Sequence, residues 1–242
     1  MSLPTPYYHN EAAGITIYHG DARLVLPVID PASVSLLLTD PPYGVSERTS
    51  RGSNGRGTAF GGKPGGTHIG ATDFPPVFGD DQPFDPAPLL RFPVVALFGA
   101  NHFADQLPPS ASWVVWDKLD GLTTKKRAIG LDDNADCELI WTNTGGPARL
   151  IPHRWKGLVK ASERGETRVH PTQKPVALMR LLLDIWTDPG NLVLDPYMGS
   201  GPIARAAFDM GRRYIGIEIE ERYCEIAARR LQQSVLPLGE VA

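Results

Sequence analysis

Two short segments of this 242-residue chain combine residue types that could do chemistry. The first is Asp40-Pro41-Pro42-Tyr43-Gly44, placed directly after the apolar run VSLLLT. Two consecutive prolines fix the backbone and remove two N–H donors, so the segment offers a carboxylate and main-chain carbonyls as acceptors with little internal competition. A carboxylate beside the Pro41 carbonyl suits a planar NH2 group. Both of its hydrogens can be held, and the nitrogen lone pair is released from ring conjugation for attack on an electrophile. Tyr43 would stack on the ring that bears that amino group. The bland alternative is a Pro-Pro turn after a strand, which would accept any polar residue at position 40.

The second segment is Asp195-Pro196-Tyr197-Met198-Gly199-Ser200-Gly201, again between an apolar run, NLVL, and a helical pattern. Its glycines let the backbone approach a ligand at a helix N-terminus. The spacing matches neither GxGxxG nor GxxxxGK[ST], so dinucleotide and P-loop readings lose ground. Glu218 follows Asp195 by 23 residues and ends the next apolar run. That is where an acidic residue binds ribose hydroxyls in Rossmann-like sheets, so an adenosine-containing cofactor fits. Glu220 and Glu221 open the next helical pattern and read as stabilisers of its positive end.

These segments need a scaffold of strands and helices, and the chain supplies one. Hydrophobic residues make up 42% and charged residues 21%, a globular profile that excludes disordered, fibrous and membrane classes. No apolar run approaches the length of a membrane helix, and MSLPTPYYHN lacks a basic start followed by an apolar stretch. A cytoplasmic protein without a membrane partner is expected. The two cysteines, Cys137 and Cys224, form neither a CxxC nor a four-cysteine set, so no metal is expected; both read as small buried or half-buried apolar residues.

Seven runs read as strands: 15–21, 34–40, 94–99, 113–117, 138–142, 191–195 and 213–218. Their near-continuous apolar character suits strands covered on both faces, hence an α/β domain with a mostly parallel sheet. Helical patterns start at Pro175, with apolar positions 178, 181, 182, 185 and 186, at Gly201, and after the last strand. Residues 46–83 are dense in glycine, serine and arginine and read as a long mobile loop. Residues 143–170 form a second irregular stretch.

The net charge of −3 argues against a general polyanion binder. Its distribution argues otherwise. Residues 45–72 carry Arg48, Arg51, Arg56 and Lys63 against Glu47, and residues 149–168 carry six basic residues against Glu163 and Glu166. Two basic segments on a mildly acidic body could form a groove for a phosphate backbone, the alternative being ordinary solvated loops. Trp155, between Arg154 and Lys156, is the aromatic placed nearest to nucleic acid. Neither His153 nor His170 is given a catalytic role.

DPPYG after a strand, HPTQKP opening a helix, then DPYMGSG and GIE together resemble the S-adenosylmethionine-dependent DNA amino-methyltransferases in their permuted, beta-class order. The likeness spans most of the chain, because HGD at 19–21, FGANHF and WVVWDK also resemble family segments. It implies a single catalytic domain over 1–242 with a Rossmann-like methyltransferase fold: a mostly parallel seven-stranded sheet, one strand antiparallel, with helices on both faces. It also implies S-adenosylmethionine as cofactor and double-stranded DNA as partner. Asp40, Pro41, Pro42 and Tyr43 would hold a flipped target base. Asp21 would approach the cofactor adenine, Glu218 its ribose, and Asp195, Pro196, Tyr197, Gly199, Ser200 and Gly201 the methionine part. Asp40, Thr172, Gln173, Lys174 and Pro175 would complete that pocket. Residues 46–83 and 118–169, with Arg48, Arg51, Arg56, Lys63, Arg154, Trp155 and Lys156, would contact DNA and choose the sequence. The family loop usually reads DPFxGSGT, whereas Tyr197 and Pro202 stand here for Phe and Thr, which removes a hydroxyl from the cofactor pocket.

The implied activity is methyl transfer to adenine N6 in a bacterial or phage-infected cell, with cytosine N4 the alternative and a catalytically inactive DNA-binding protein a further one. A protein-glutamine methyltransferase would carry Asn in place of Asp40. Methylation at cytosine C5 needs a nucleophilic cysteine, which in that family follows a proline; Cys137 and Cys224 follow Asp and Tyr. A homodimer and a restriction endonuclease partner stay open.

Overall fold

The computed structural model describes residues 2–44, 77–121, 135–156, 159–163, 169–170 and 172–232. In chain order the elements are β1 (Tyr8–Asn10), β2 (Ile15–His19), α1 (Ala22–Val25), β3 (Leu36–Thr39), β4 (Val95–Phe98), β5 (Trp113–Asp117) and β6 (Cys137–Thr142). They continue as β7 (Arg149–Pro152), β8 (Trp155–Lys156), β9 (Val159–Lys160), α2 (Val176–Trp186), β10 (Leu192–Asp195), α3 (Pro202–Asp209), β11 (Arg213–Glu218) and α4 (Glu221–Gln232). The described residues pack as two compact units, one drawn from 1–40, 87–96 and 173–242, the other from 41–86 and 97–172.

In the first unit the strand order is β1-β2-β11-β10-β3-β4. β2, β11, β10 and β3 run parallel to one another, and β1 closes the edge antiparallel to β2. All four residues of β3, β4 and β10 are buried, as their unbroken apolar character requires of strands covered on both faces. Because four neighbouring strands share one direction, their carboxyl ends, His19, Glu218, Asp195 and Thr39, fall on the same edge. In the second unit the order is β6-β5-β7, with β5 antiparallel to β6 and parallel to β7. β8 and β9 make a separate antiparallel pair.

All seven expected strands are present, yet the described residues order nine strands, six in the first unit and three in the second, where seven were expected. The additions are β1 and β7. β7 and the β8–β9 pair lie within the stretch read as irregular. They were hidden because β1 and β7 have only three and four residues and alternate little, while β8 and β9 have two each. Helices α2, α3 and α4 lie where the sequence patterns put them.

The buried face of α2 is shifted from expectation. Val176, Leu178, Met179, Leu182 and Leu183 are buried, whereas Leu181 and Ile185 are 46% and 51% exposed. Pro202 starts α3 where a missing N–H has no consequence, and α4 carries Glu221 in its first turn with Arg229 and Arg230 in its last, complementing the helix dipole. Trp116 and Trp141 are core residues whose indole N–H groups donate to the carbonyls of His153 and Pro108. Cys224 is buried as expected, its thiol pushed up to about 12 by burial, and is no nucleophile near neutral pH. Cys137 is exposed, contrary to expectation, because it starts β6. No helix among the described residues is long and apolar enough to cross a membrane.

The turn that aligns α3 with β11 hangs on Arg212. Its buried guanidinium donates to the Thr187 hydroxyl (3.2 Å), the Thr187 carbonyl (2.8 Å) and the Met210 carbonyl (2.8 Å). Arg212→Met would leave these acceptors unsatisfied at a site water reaches poorly. Urea denaturation should show a loss of about 2–4 kcal/mol, and Arg212→Lys should recover only part of it, since an ammonium cannot reproduce the planar fork. A loss under about 0.5 kcal/mol would mean that water replaces the guanidinium without difficulty.

Candidate active site

The carboxyl edge of β2, β11, β10 and β3 gathers Asp21, Glu218, Asp195 and Asp40, each at or just beyond a strand end. Open α/β sheets bind ligands at this edge. Burying several carboxylates together is unfavourable unless each is compensated, and here each is compensated differently.

Asp195 is 1% exposed. Its Oδ1 accepts from the Thr39 hydroxyl (2.7 Å) and the Tyr197 N–H (3.3 Å), and its Oδ2 from the Tyr214 hydroxyl (3.1 Å). The side chain thus ties β3 and β11 to the loop after β10. Glu218 is 8% exposed; one oxygen accepts from the Gly199 N–H (2.7 Å) and the other from the Glu220 N–H (2.8 Å). Burial raises its pKa while those N–H groups pull it down. Its own carbonyl accepts from the Gly20 N–H (2.8 Å), which brings the Asp21 segment beside it. Asp21 caps α1 through the Arg23 N–H and is gripped by the Arg23 guanidinium (2.6 Å), whose hydrogen bond holds its pKa below the usual value.

The loop between β10 and α3 is the segment in which the cofactor is expected from the sequence. Met198 N–H donates to the Ile217 carbonyl (3.0 Å) and Gly201 N–H to the Met198 carbonyl (3.1 Å), folding it over the end of β11. Gly201 has φ +75°, and a Cβ there would come within 2.7 Å of the Ala227 Cβ, so no other residue fits without strain. Ser200 is buried, and its Oγ has no hydrogen-bond partner among the described residues. A hydroxyl left in that state at a ligand-binding edge fits a polar group of a bound molecule.

Asp40 follows β3 directly. Its Oδ2 accepts a 2.6 Å bond from the Lys174 ammonium, and both side chains are largely out of water, 17% and 8% exposed. Gln173, Lys174 and Pro175 are buried, and Pro175 stands at the N-cap of α2. Thr172 belongs to the second unit, where its hydroxyl and N–H both meet His170 Nδ1 at 3.2 Å.

Also in the second unit, the Tyr43 and Gly44 N–H groups both donate to Asp80 Oδ1, at 3.0 and 2.9 Å. The Tyr43 ring stacks on His102 with centroids 5.1 Å apart and planes 14° from parallel. Gly99, at φ +60°, faces the ring so closely that a Cβ would collide with it. Trp155 lies under the Lys160 ammonium, 4.4 Å from the ring centroid, and Arg154 pairs with Asp120 at 3.4 Å. Arg48, Arg51, Arg56 and Lys63 lie outside the described residues, as does most of the 46–83 segment. No group of residues suited to a metal ion occurs among the described residues.

Sequence reasoning missed Thr39, Tyr214, Asp80 and His102. Thr39 and Tyr214 sat inside apolar strand runs, where a lone hydroxyl facing a strand-end aspartate was the only signal. Asp80 and His102 gave none, because their partners are remote in sequence.

Asp195 is pushed up to about 7, first by burial; the Thr39, Tyr214 and Tyr197 donors oppose the shift and the charge of Asp40 adds to it. An unfolded aspartate titrates near about 3.9. Between these values the native protein binds a proton that the unfolded chain has released, so the stability contribution of this group falls as pH rises through that window. Asp195→Asn removes the dependence. Its stability relative to the parent, followed by denaturation from about pH 4 to about pH 8, should therefore rise with pH. A difference that stays flat would show Asp195 ionised throughout.

Residues 109–229 match the DNA methylase family of N6/N4 type. The chain is 30% identical over 225 residues to the "Putative methylase YubD" of Escherichia coli (strain K12), covering 88% of each protein. It is 25% identical to the type II methyltransferase M2.LlaDCHI of Lactococcus lactis subsp. cremoris, covering 96% of this chain and 93% of that one. Among solved structures, the M1.HpyAVI–SAM complex matches with a TM-score of 0.54 at 23% identity over 90% of this chain and 100% of the other. The cytosine-N4-specific PvuII DNA methyltransferase matches with a TM-score of 0.55 at 17% identity over 95% and 96%. These two likenesses establish the Rossmann-like methyltransferase fold. With half of its residues matched to the family and a 30% identical relative along most of its length, the chain belongs to the N6/N4 DNA methylases.

Proposed function

We propose that this protein transfers a methyl group from S-adenosylmethionine to the N6 amino group of adenine turned out of duplex DNA. The observation that carries the reading is a half-buried, cation-paired Asp40 at the end of β3, followed by Pro41-Pro42, which lack N–H groups, and by Tyr43. The residues at the strand edge fit the cofactor. The orphaned Ser200 hydroxyl and the glycine-lined turn around it suit a methionine carboxylate, and Ser200 is the hydroxyl that remains where Pro202 replaces the family threonine. Glu218 would accept the ribose hydroxyls, since each carboxylate oxygen can accept a second bond. Asp21, Gln173 and Pro175 are proposed for the same pocket, together with Pro196, Tyr197 and Gly199, whereas Lys174, which the resemblance also put there, turns its ammonium to Asp40. Asp195 contributes by holding that loop.

The cofactor supplies an electrophilic methyl carbon on a sulfonium sulfur. Asp40 and the Pro41 carbonyl hold the two hydrogens of the adenine amino group, which turns the nitrogen lone pair out of the ring plane. As the N–C bond forms and the C–S bond breaks, with its electron pair leaving on sulfur, positive charge develops on nitrogen beside these acceptors. The nitrogen then gives a proton to water. Tyr43 is the aromatic proposed to meet the base; its backbone is held by Asp80, its ring stacks on His102, and Gly99 leaves room for that ring. Trp155, Arg154 and Lys156, with Arg48, Arg51, Arg56 and Lys63, are the proposed DNA contacts.

Incubation with unmethylated genomic DNA and S-adenosylmethionine, followed by nucleoside mass analysis, should yield N6-methyladenine. Asp40→Ala should lower turnover by at least about a hundredfold. N4-methylcytosine as the product would replace adenine by cytosine and leave the acceptor chemistry intact. In a separate test, Glu218→Gln should weaken cofactor binding by about tenfold, roughly 1.4 kcal/mol, as read by calorimetry. Unchanged affinity would remove Glu218 from the ribose site.

A further inference from the structure

The geometry points to Lys174 as the positioning residue of Asp40: its ammonium, carried on the buried segment before α2, fixes the carboxylate in one orientation and keeps it charged for the target amino group. The inference rests on the methyl-transfer reading for its catalytic consequence and on the ion pair alone for its electrostatic one. Lys174 and Asp40 are separated by 134 residues of chain, yet meet at 2.6 Å. The cation is not a mobile surface lysine, since Gln173, Lys174, Pro175 and Val176 are all buried, and Pro175 and Val176 fix the start of α2.

The need for such a cation follows from the neighbouring charge. Asp195, at the end of the adjacent strand β10, senses the charge of Asp40. Two carboxylates at one sheet edge, both shielded from water, favour protonation of at least one. Lys174 is the cation paired with Asp40, whereas Asp195 is bonded to hydroxyls and an N–H. The negative charge therefore settles on Asp40. A carboxylate gripped through Oδ2 is held in one orientation, which is what holding an amino hydrogen requires. Because the ammonium stabilises the anion, Asp40 is a poor proton acceptor. It stabilises positive charge on the attacking nitrogen, and the departing proton goes to water.

The test uses the full-length protein and its Lys174→Met and Lys174→Arg variants, each checked for native circular dichroism. Carbon-13 carboxyl NMR, with Asp40 assigned by loss of its signal in Asp40→Asn, should show Asp40 titrating at least about one pH unit higher in Lys174→Met than in the parent. Lys174→Arg should restore most of the difference. The acid limb of kcat/KM for methyl transfer to DNA should move up in step, with kcat falling at least about tenfold at its optimum and the S-adenosylmethionine dissociation constant changing less than about twofold. An unmoved Asp40 titration overturns the inference. So does a loss of cofactor affinity with an unmoved acid limb, which would make Lys174 a cofactor ligand instead. A parent protein that shows the titration difference but methylates no DNA would overturn the methyl-transfer reading and the catalytic role of Lys174 with it, leaving the ion pair as a structural feature.

Discussion

Three carboxylates removed from water at the ends of three adjacent parallel strands are the constraint around which the first unit is organised. Isolated, each would be strongly disfavoured, and together they would repel. The fold answers with three kinds of partner: an ammonium for Asp40, hydroxyls and one N–H for Asp195, and backbone N–H groups for Glu218. These partners dictate much else. The Thr39 hydroxyl must face β10, the Tyr214 ring must reach along β11, and the chain after β10 must turn back so that Gly199 meets Glu218. The loop that would receive the cofactor is therefore shaped by carboxylates that cannot be left unpaired.

Most of the scaffold was legible in the sequence because its strands are continuous apolar runs and its helices have clear starts. What escaped notice did so for physical reasons. β1 and β7 are edge strands too short to show a period, and β8 and β9 are defined by pairing rather than by composition. On α2, a helix with apolar residues nearly all round, composition could not tell which face is covered, and Leu181 and Ile185 proved to lie outside. In the candidate site, the residue types proposed to do chemistry are legible as DPPY, DPYMGSG and GIE. The residues that hold them did not. Thr39 and Asp195 are 156 positions apart, and Asp40 and Lys174 are 134 apart, so only folding reveals that they are partners.

The second unit shows the same division between groups that act and groups that hold. Tyr43 is the aromatic proposed for a base, and its placement comes from Asp80, whose single oxygen receives two successive N–H groups, and from Gly99, the residue type that leaves room for the ring. The two prolines before Tyr43 lack N–H groups, so the first donors after Asp40 are those of Tyr43 and Gly44, and both are taken by Asp80. The two prolines thus add no backbone donor to the acceptor segment.

Asp40 and Asp195 make a pair of like residues with opposite electrostatic fates. Both follow parallel strands of the same sheet and both are shielded from water, yet one sits on a cation and the other is pushed up to about 7. The difference does not come from burial alone, which acts on both. It comes from the partner: hydroxyls donate to a carboxylate without cancelling its charge, whereas an ammonium cancels it at 2.6 Å. Placing the cation on Asp40 favours the ionised form of that carboxylate, while Asp195, bonded to hydroxyls and an N–H, is the one pushed towards neutrality. A single buried lysine thus separates an aspartate paired with a cation from an aspartate that holds the loop in place.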